Sequence, residues 1–452
     1  MEMIQKREPL FTNRALVALT VPIVVDALLA IAAGVVDSAM VSSAGEAAVS
    51  AVSLVDSINV MFITFFNAIG IGGSVVTAQY VGKQDRQKAS TSANQILYAA
   101  IAISVFAMAV MLPLRETVLG LVYGSVEETV FQNASVYFFY TLMGFPFYAV
   151  GAASAAVLRS MGKSRQAVTA TIACNMLNVV GNAVLIYGFK MGVAGAAIAT
   201  SLSRVAYAII GVTLASSSKL PARFENLLRF RLDLDIMGRT LKVGLTQGME
   251  NFLFQLGKLL IAGLVATFGT VAITANSVSF TINDIAWMVM GAFSTVMLTV
   301  VGQCIGAGER EQAKTYVVKL VKACSVTMVI MCGTIFALRG QIVRIFDLSP
   351  ETLEVCAYHT GIRAIVTVCS FYPLAFGPVS AFRAAGDIKY AVTLSVVAMF
   401  VFRVALCFAL NALFPGLGLL CIHIGMWADW SFRSVANVIR FRSGKWLRKK
   451  LI

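Results

Sequence analysis

Charged residues are scarce in this 452-residue chain: only 13% of its residues are Asp, Glu, Lys or Arg, whereas 58% are hydrophobic. A soluble protein carries about twice that charged fraction. So few charges cannot build a water-facing surface around the remaining residues, and the mean hydropathy of +0.82 agrees. The scarcity excludes a soluble globular protein, a disordered chain and a basic nucleic-acid-binding domain. We conclude that the chain is an integral membrane protein.

Residues that hold metals or perform catalysis are also few. There are two histidines, His359 and His423, and the eight cysteines lie almost entirely in apolar stretches without CxxC spacing. We interpret the cysteines as small buried hydrophobic residues. The motifs HExxH, DDxxD and GxSxG and a phosphate-cradling loop are all missing. We therefore expect neither an enzyme nor a bound cofactor. Because no small-residue cleavage site precedes the first apolar run, we expect no removable signal peptide.

Long apolar runs supply the hydrophobicity. A membrane-spanning helix needs about 20 mostly apolar residues, and short connections separate twelve such runs. The predicted spans are 15–41, 48–73, 92–113, 129–158, 166–187, 193–216, 243–266, 272–300, 320–338, 354–382, 390–413 and 417–438. The fold is therefore predicted to be all-α, with twelve transmembrane helices.

The basic residues indicate the orientation of these helices. Alternate connections and the two terminal segments hold 27 of the 36 Lys and Arg residues, whereas the opposite connections hold only Arg115, Lys190, Arg339 and Arg344. Cytoplasmic loops carry such an excess, so we place both termini in the cytoplasm and the chain in the inner (plasma) membrane. The net charge of +14 is then explained by the excess of basic residues on the cytoplasmic side. We therefore expect membrane lipids but no nucleic acid as partners.

The sequence also repeats itself. A constant shift of 224 in residue number moves Gly45, Gln79, Gly82, Phe147, Tyr148, Arg159 and Gly162 onto Gly269, Gln303, Gly306, Phe371, Tyr372, Arg383 and Gly386. Six spans separate the copies, which predicts parallel six-helix lobes related by a pseudo-twofold axis normal to the membrane, as in alternating-access carriers. We divide the chain into an N-lobe (1–216), a cytoplasmic connection (217–242), a C-lobe (243–438) and a basic cytoplasmic tail (439–452).

Several motifs, in order, resemble the multidrug and toxic compound extrusion (MATE) family, prokaryotic type, of the MOP flippase superfamily. They are Val36–Ser38, Ala78–Gly82, Leu158–Lys163, Gly192–Ala197, Gly302–Gly306 and Phe382–Asp387. The resemblance implies a secondary antiporter, which we expect to be a monomer, that exports bulky amphipathic organic cations in exchange for Na+ or H+. The alternative is a flippase of lipids or lipid-linked oligosaccharides, which should show extra spans and several cations in its cavity. A channel is disfavoured because no filter-like segment is found.

Acidic residues within the spans are the candidates for function, because a charge at the bilayer centre costs at least about 2.5 kcal/mol. They are Asp26, Asp37, Asp56, Glu250, Asp284 and Asp429. Asp26 and Asp37 lie eleven residues apart on the first span, which is three helical turns or about 16 Å along one face. We therefore expect both to line one cavity. Asp429 and Arg433 have the i, i+4 spacing of a local ion pair.

The resemblance implies a cation site in the N-lobe. Asn178 and Asn182 share one helix face, and in the family the corresponding pair faces the aspartate matched by Asp37. Thr200 matches a hydroxyl ligand of the family. These oxygens suit Na+, with Asp37 and Asn178 as candidate ligands, or Asp37 exchanges a proton. One branch of the family has an acidic residue where Asn182 stands, so the choice of ion stays open. The alternative is that the amides only join helices.

The predicted substrate cavity takes residues from both lobes. Glu250 resembles a family glutamate that binds Na+, but the partner position on the tenth span is Tyr372 here, which favours substrate contact. The predicted cavity residues are Asp26, Glu250, Asn251, Gln255, Asp284, Trp287 and Tyr372. With Phe254, the aromatic members offer rings to an organic cation. The basic residues Arg204, Lys258, Arg363 and Arg403 pair with these acids or snorkel, and the aromatic stretch 137–147 is interpreted as packing.

Pro22 and Gly34 bracket Asp26 on the first span. A proline removes one helical hydrogen bond, so we predict a hinge between them. Our hypothesis is that ion or proton binding at Asp37 changes the bend and biases the lobes between inward-open and outward-open states.

Overall fold

The computed structural model describes residues 8–124, 126–227, 229, 231–346, 348–449 and 451–452. Lys6, Arg7 and Lys450, which belong to the basic set assigned to the cytoplasmic side, lie outside these residues. All regular structure in the described residues is helical and none is a strand. This confirms the predicted all-α fold.

The first half of the chain forms seven helices. They are α1 (Asn13–Ser42), α2 (Glu46–Gly82), α3 (Arg86–Tyr123), α4 (Glu128–Met143), α5 (Phe145–Ser160), α6 (Ser164–Asn182) and α7 (Gly192–Ala215). A π-helical segment, Ala183–Gly188, continues α6 beyond Asn182. Asp85 caps α3, since its side chain accepts a hydrogen bond from the Lys88 amide at 3.0 Å.

The second half forms eight helices. They are α8 (Leu234–Ala266), α9 (Thr270–Gly306), α10 (Arg310–Val343), α11 (Pro350–Cys369), α12 (Tyr372–Ala384), α13 (Ile388–Val397), α14 (Leu406–Leu413) and α15 (Leu420–Arg442). A π-helical segment, Ala398–Ala405, joins α13 to α14, and short 3-10 turns occupy Pro415–Leu417 and Lys445–Arg448.

Nine helices in the described part of the chain are long and apolar enough to cross a membrane, or eleven spans if two bent pairs are added. In these pairs α4 meets α5 at 46° and α11 meets α12 at 52°, and each pair covers one predicted span. The predicted span 417–438 corresponds to α15, which is less apolar because it carries Asp429, Arg433 and Asn437. All three residues are buried. Several helices extend beyond their predicted spans, since their polar ends continue the helix.

The backbone repeats together with the sequence. Positive φ angles occur in pairs related by the shift found in the sequence: Gly45 (102°) with Gly269 (89°), Gln84 (62°) with Gly308 (79°), and Gly162 (76°) with Gly386 (89°). Left-handed backbone favours glycine because it has no Cβ. The shift therefore reproduces the turns before α2 and α9, after α2 and α9, and after α5 and α12.

The described chain separates into two compact units. One is Asn13–Gly248, and the other is Met249–Ile452 with the described residues before Asn13. In the first unit, a Cβ on Gly72 would lie 2.4 Å from the backbone nitrogen of Gly244, so small residues permit the close approach of α2 and α8. In the second unit, the backbone N–H of Phe11 donates to the Tyr316 hydroxyl on α10 at 2.9 Å.

Candidate functional site

The centre of the N-lobe site is a contact between α1 and the end of α6. The side-chain amide of Asn182 donates to Oδ1 of Asp37. Asn182 is fully buried, and its Oδ1 finds no donor among the described residues. Because Asn182 is the last residue before the π-helical segment, the wider helical turn that follows begins at this contact. Such a π-bulge is frequent at functional sites.

Asn178 and Thr200 form the second contact of this site. Asn178 lies one turn before Asn182, and its side-chain amide donates to the Thr200 hydroxyl on α7 at 3.2 Å. The four residues of the predicted cation site are thus brought together as two hydrogen-bonded pairs, Asp37 with Asn182 and Asn178 with Thr200. A carboxylate, two amides and a hydroxyl supply only hard oxygen ligands, which are the ligands that Na+ or Ca2+ prefers over softer metals.

A second carboxylate, Asp56 on α2, extends this polar region. It accepts hydrogen bonds from Asn59 at 3.3 Å and from the hydroxyl of Tyr137 on α4 at 3.4 Å. The charges of Asp37 and of Arg204 on α7 both act on Asp56. Tyr137 is 2% exposed. The sequence interpretation left Asp56 undecided and assigned Tyr137 to packing; neither residue type nor spacing showed that the hydroxyl of this tyrosine reaches the carboxylate.

Arginines neutralise the acidic residues that the repeat relates. Arg159 at the end of α5 pairs with Asp26 on α1 at 3.0 Å, and Arg383 at the end of α12 pairs with Glu250 on α8. Asp26 and Asp37 therefore have different partners, although one helix carries both. The sequence interpretation counted both arginines as loop residues that record topology, and so missed the two ion pairs.

The predicted aromatic residues of the C-lobe do meet. Trp287 on α9 stacks on Phe254 at 5.9 Å between ring centroids and lies 6.4 Å from Tyr372. Cations of the protein already face some of these rings: Lys258 lies 5.4 Å from the Phe254 centroid, and Arg403 lies 5.7 Å from it. Of the cluster, Trp287 keeps the largest accessible ring, since it is 47% exposed.

The remaining predicted residues are more scattered. Gln255 and Asp284 are exposed, and Asn251 is half-buried. The charges that act on Asp284 come from Lys258 and Arg363. The predicted hinge lies in a continuous helix, since α1 runs through both Pro22 and Gly34.

A network of buried charges fills the C-lobe behind this aromatic cluster. The predicted pair of Asp429 and Arg433 is present at 2.6 Å, and Arg403 approaches the other oxygen of Asp429 at 2.8 Å. Arg363 on α11 is 1% exposed and donates to Asn276 at 3.0 Å. These arginines lie inside the lobe and do not snorkel.

A cavity of about 310 Å³ lies beside this network, between α8, α9, the π-helical segment 398–405 and α15. Lys258, Asn276, Asp284 and Arg403 give it a polar side. Its other walls are apolar and are formed by Ile261, Ala262, Phe280, Met399, Ile422 and Met426. A mostly apolar chamber with a few converging polar groups is typical of small-molecule sites.

The sequence is similar to known transporters over nearly its whole length. The MatE family model matches residues 22–184 and 248–409. An uncharacterized transporter YisQ of Bacillus subtilis is 26% identical, over 98% of this chain and 97% of that protein. A probable multidrug resistance protein NorM of Thermotoga maritima is 25% identical, over 97% of this chain and 94% of that protein.

Among solved structures, the fold matches a multidrug resistance MATE family transporter of the MOP superfamily in an outward-facing conformation. The TM-score is 0.88 at 19% identity, and the match covers 95% of this chain and 96% of that one. At this identity the match establishes the two-lobe fold. The two family segments, one in each half of the chain, agree with the internal repeat.

Proposed function

Because this chain belongs to the MatE family, we propose that it is a secondary active antiporter that exports bulky amphipathic organic cations in exchange for Na+ or H+. The relative named a multidrug resistance protein supports export of drug-like compounds. The two lobes alternate access to the two sides of the membrane, with the coupling ion bound in the N-lobe. The protein works as a transporter and not as an enzyme, and no cofactor takes part.

One observation supports placing the coupling ion in the N-lobe. The side-chain amide of Asn182 is fully buried, and its nitrogen donates a hydrogen bond to Asp37. Its oxygen has no donor among the described residues. A buried polar atom without a partner costs free energy. A cation placed between this oxygen and the Asp37 carboxylate offsets that cost. Asn178, one helical turn before Asn182, and its hydrogen-bond partner Thr200 on α7 supply the further oxygens.

The other residues have supporting roles in this proposal. Pro22 and Gly34 allow α1 to bend when the charge on Asp37 changes. The substrate contacts are Asp26, Glu250, Asn251, Gln255, Asp284, Trp287 and Tyr372. Because arginines already pair with Asp26 and Glu250, an organic cation competes with an arginine for each of these two carboxylates.

We also propose that the protein works as a monomer in the plasma membrane, with both termini in the cytoplasm. Nine to eleven apolar spans in the described chain support a multi-pass protein. The basic excess in alternate connections supports the orientation.

Uptake of ethidium into proteoliposomes tests the antiport. Vesicles receive an outward Na+ gradient, an outward H+ gradient, both or neither. We expect at least one gradient to drive uptake and Asp37→Asn to abolish the driven component. A matched control is Asp235→Asn, which makes the same chemical change at an exposed carboxylate near the start of α8. Equal driven uptake by Asp37→Asn and Asp235→Asn would refute the assigned site, and uptake indifferent to both gradients would refute antiport.

The alternative is a flippase of lipids or lipid-linked oligosaccharides, and the buried cations of the C-lobe favour it. Against it stands the number of spans, since such a flippase should show extra ones, whereas the described residues form nine apolar spans, or eleven with the two bent pairs. A fluorescent lipid-linked oligosaccharide that crosses the vesicle membrane faster with this protein than with Asp37→Asn would favour the flippase. Gradient-driven ethidium movement without lipid transfer would favour the antiporter.

A further inference from the structure

The interior of the C-lobe carries more positive than negative charge. Apart from Arg383 and Arg440, which pair with Glu250 and Asp387, the buried or half-buried cations around the cavity are Lys258 on α8, Arg363 on α11, Arg403 in the segment 398–405 and Arg433 on α15. The carboxylates that face them are Asp284 on α9 and Asp429 on α15. Four cations and two carboxylates leave an excess of two positive charges. Within a lipid-embedded lobe, charges of one sign are costly unless a counter-charge accompanies them.

Asp429 does not accept from all the donors of the two arginines that it faces. Arg433 is well bonded, because it also donates to the hydroxyl and the carbonyl oxygen of Ser395 at 3.0 Å each. Arg403 reaches Asp429 with Nη2, but its Nε has no acceptor among the described residues although the side chain is only 5% exposed. Buried guanidinium donors normally have acceptors. Arg403 therefore carries donor capacity beyond what the protein itself uses.

Arg363 also has hydrogen-bond donors without acceptors. Its Nη2 donates to Asn276 at 3.0 Å, while Nε and Nη1 have no acceptor among the described residues. The guanidinium lies over the ring of Phe280 at 3.8 Å. Both Asn276 and Phe280 line the cavity of about 310 Å³, and Lys258 and Arg403 line it directly. Arg403 thus lines the chamber directly, whereas Arg363 lies behind it and contacts its lining residues Asn276 and Phe280.

We propose that this C-lobe cavity binds a small amphipathic organic anion, such as an aromatic carboxylate. The carboxylate lies between Lys258 and Arg403 and takes up the donor that Asp429 leaves unused. Arg363 adds positive potential from behind Asn276. The apolar body packs against Ile261 and Met399. Asp284 opposes binding, because its negative charge shares the polar side of the cavity.

This site is separate from the cation site proposed in the N-lobe, since every residue that lines it belongs to the unit Met249–Ile452. Of the residues proposed to contact an organic cation, only Asp284 also lines this cavity, and the buried donors of Lys258 and Arg403 have no lone pairs to offer a cation. The charge of the ligand, and not its shape, therefore distinguishes this cavity from a site for organic cations. Equilibrium binding without any gradient tests it independently of transport.

The experiment measures binding of 2-naphthoate to the protein in nanodiscs of zwitterionic lipid, by equilibrium dialysis. The uncharged isostere 2-naphthamide and the cation 2-naphthylmethylammonium are the matched ligands. We expect naphthoate to bind at least about tenfold more tightly than either, since charge-assisted hydrogen bonds exceed neutral ones. Equal binding of the three ligands, tighter binding of the cation, or no binding of naphthoate would overturn the proposal.

Two substitutions shift the naphthoate affinity in opposite directions. Lys258→Met should weaken it about tenfold, whereas Lys322→Met, at an exposed position of α10, should leave it within twofold. Asp284→Asn should tighten it about threefold, a gain that misfolding cannot produce. Weaker binding by Asp284→Asn, or equal Kd values for the two lysine variants, would contradict the assignment.

A last arm separates a soluble anion from a lipid headgroup. Nanodiscs that contain phosphatidylglycerol should bind naphthoate with an unchanged Kd if the cavity takes soluble anions. Complete displacement of naphthoate by this lipid in the wild-type protein would assign the cavity to an anionic headgroup and overturn the proposal.

Discussion

Arg159 donates a hydrogen bond to Asp26 at 3.0 Å, and the two residues lie 133 positions apart. The shift that relates the two halves of the sequence moves this pair onto Arg383 and Glu250, which form the same bond at the same separation of 133. The side chains of both acidic residues are 13% exposed. The internal repeat therefore relates two ion pairs, each within its own unit, and not two isolated carboxylates.

We expect the Asp26 pair to stabilise its lobe. Asp26→Asn leaves the Arg159 guanidinium without its carboxylate. Because the pair is part-buried, we expect a loss between the value of about 1 kcal/mol for an exposed pair and that of about 3 kcal/mol for a buried one. The double variant Asp26→Asn/Arg159→Gln removes both charges, so it should recover most of that loss. Urea unfolding in mixed micelles, followed by far-ultraviolet circular dichroism, gives the free energy of unfolding for each variant.

The exposed pair of Arg115 and Glu116 provides the comparison. Its side chains are 31% and 63% exposed, and exposed pairs contribute about 0–1 kcal/mol. Glu116→Gln should therefore change the free energy of unfolding far less than Asp26→Asn does. The assignment would be wrong if the double variant at Asp26 and Arg159 were less stable than Asp26→Asn.

The two amides of the N-lobe site should differ in their effect on exchange. Asn182→Leu removes the donor to Asp37 and the oxygen proposed to face the cation, so we expect at least about a tenfold drop in gradient-driven ethidium flux. Asn178→Leu removes only a bond to Thr200 and should cost less. Initial rates in proteoliposomes at matched protein content measure both. A larger loss in Asn178→Leu than in Asn182→Leu would reverse the assigned roles.

The membrane spans and the internal repeat could be predicted from the sequence because each depends on a pattern that extends over many residues. Hydropathy averaged over the length of a span located the helices, and the constant shift carried Gly45 onto Gly269, whose backbones share a positive φ. The contact between Asp37 and Asn182 followed from the family resemblance. The bend between α4 and α5 was not predicted, because a break at Gly144 leaves the apolar run of that span uninterrupted.

The partners of the buried charged side chains could not be predicted from the sequence. Arg159 looked like a loop residue, since a count of charges per connection does not show whether a guanidinium reaches back to a helix 133 residues away. Lys258 and Arg403 had no assigned partners because helix rotation decides what they face. As a result, the charged residues predicted to line the substrate cavity were all acidic. In the C-lobe cavity of the structure, however, the two cations Lys258 and Arg403 outnumber the one carboxylate, Asp284.

At position 371, in the break between α11 and α12, glycine should give a more stable protein than alanine. The φ of Phe371 is +52°, which costs about 1 kcal/mol for a residue with a Cβ. The side chain is 65% exposed, so both truncations lose similarly little packing. We expect Phe371→Gly to be about 1 kcal/mol more stable than Phe371→Ala in urea unfolding.

Its repeat counterpart should show the opposite order. Phe147 lies inside α5 with ordinary helical backbone and is 41% exposed. In a helix interior, alanine is about 1 kcal/mol more favourable than glycine, so Phe147→Ala should be the more stable of that pair. If glycine and alanine ranked in the same order at both positions, the left-handed backbone would not explain Phe371.

Stiffening α1 at the proposed hinge should slow transport without destabilising the protein. A Cβ on Gly34 would meet no atom within 4 Å, so Gly34→Ala fits the structure as it stands. In a helix interior this change stabilises by up to about 1 kcal/mol. Pro22→Ala restores a backbone N–H to the same helix. We expect both variants to keep or raise the Tm and to lower gradient-driven ethidium flux at least about threefold.

Gly120→Ala separates a hinge from a general effect of glycine replacement. Gly120 lies in the last turn of α3, and a Cβ there also meets nothing within 4 Å, so Gly120→Ala should stabilise its helix by no more than Gly34→Ala does. The two variants therefore differ mainly in which helix becomes stiffer. If α1 must bend as the charge on Asp37 changes, only Gly34→Ala slows exchange. Equal flux in the two variants, at equal Tm, would mean that the lobes alternate without a bend in α1.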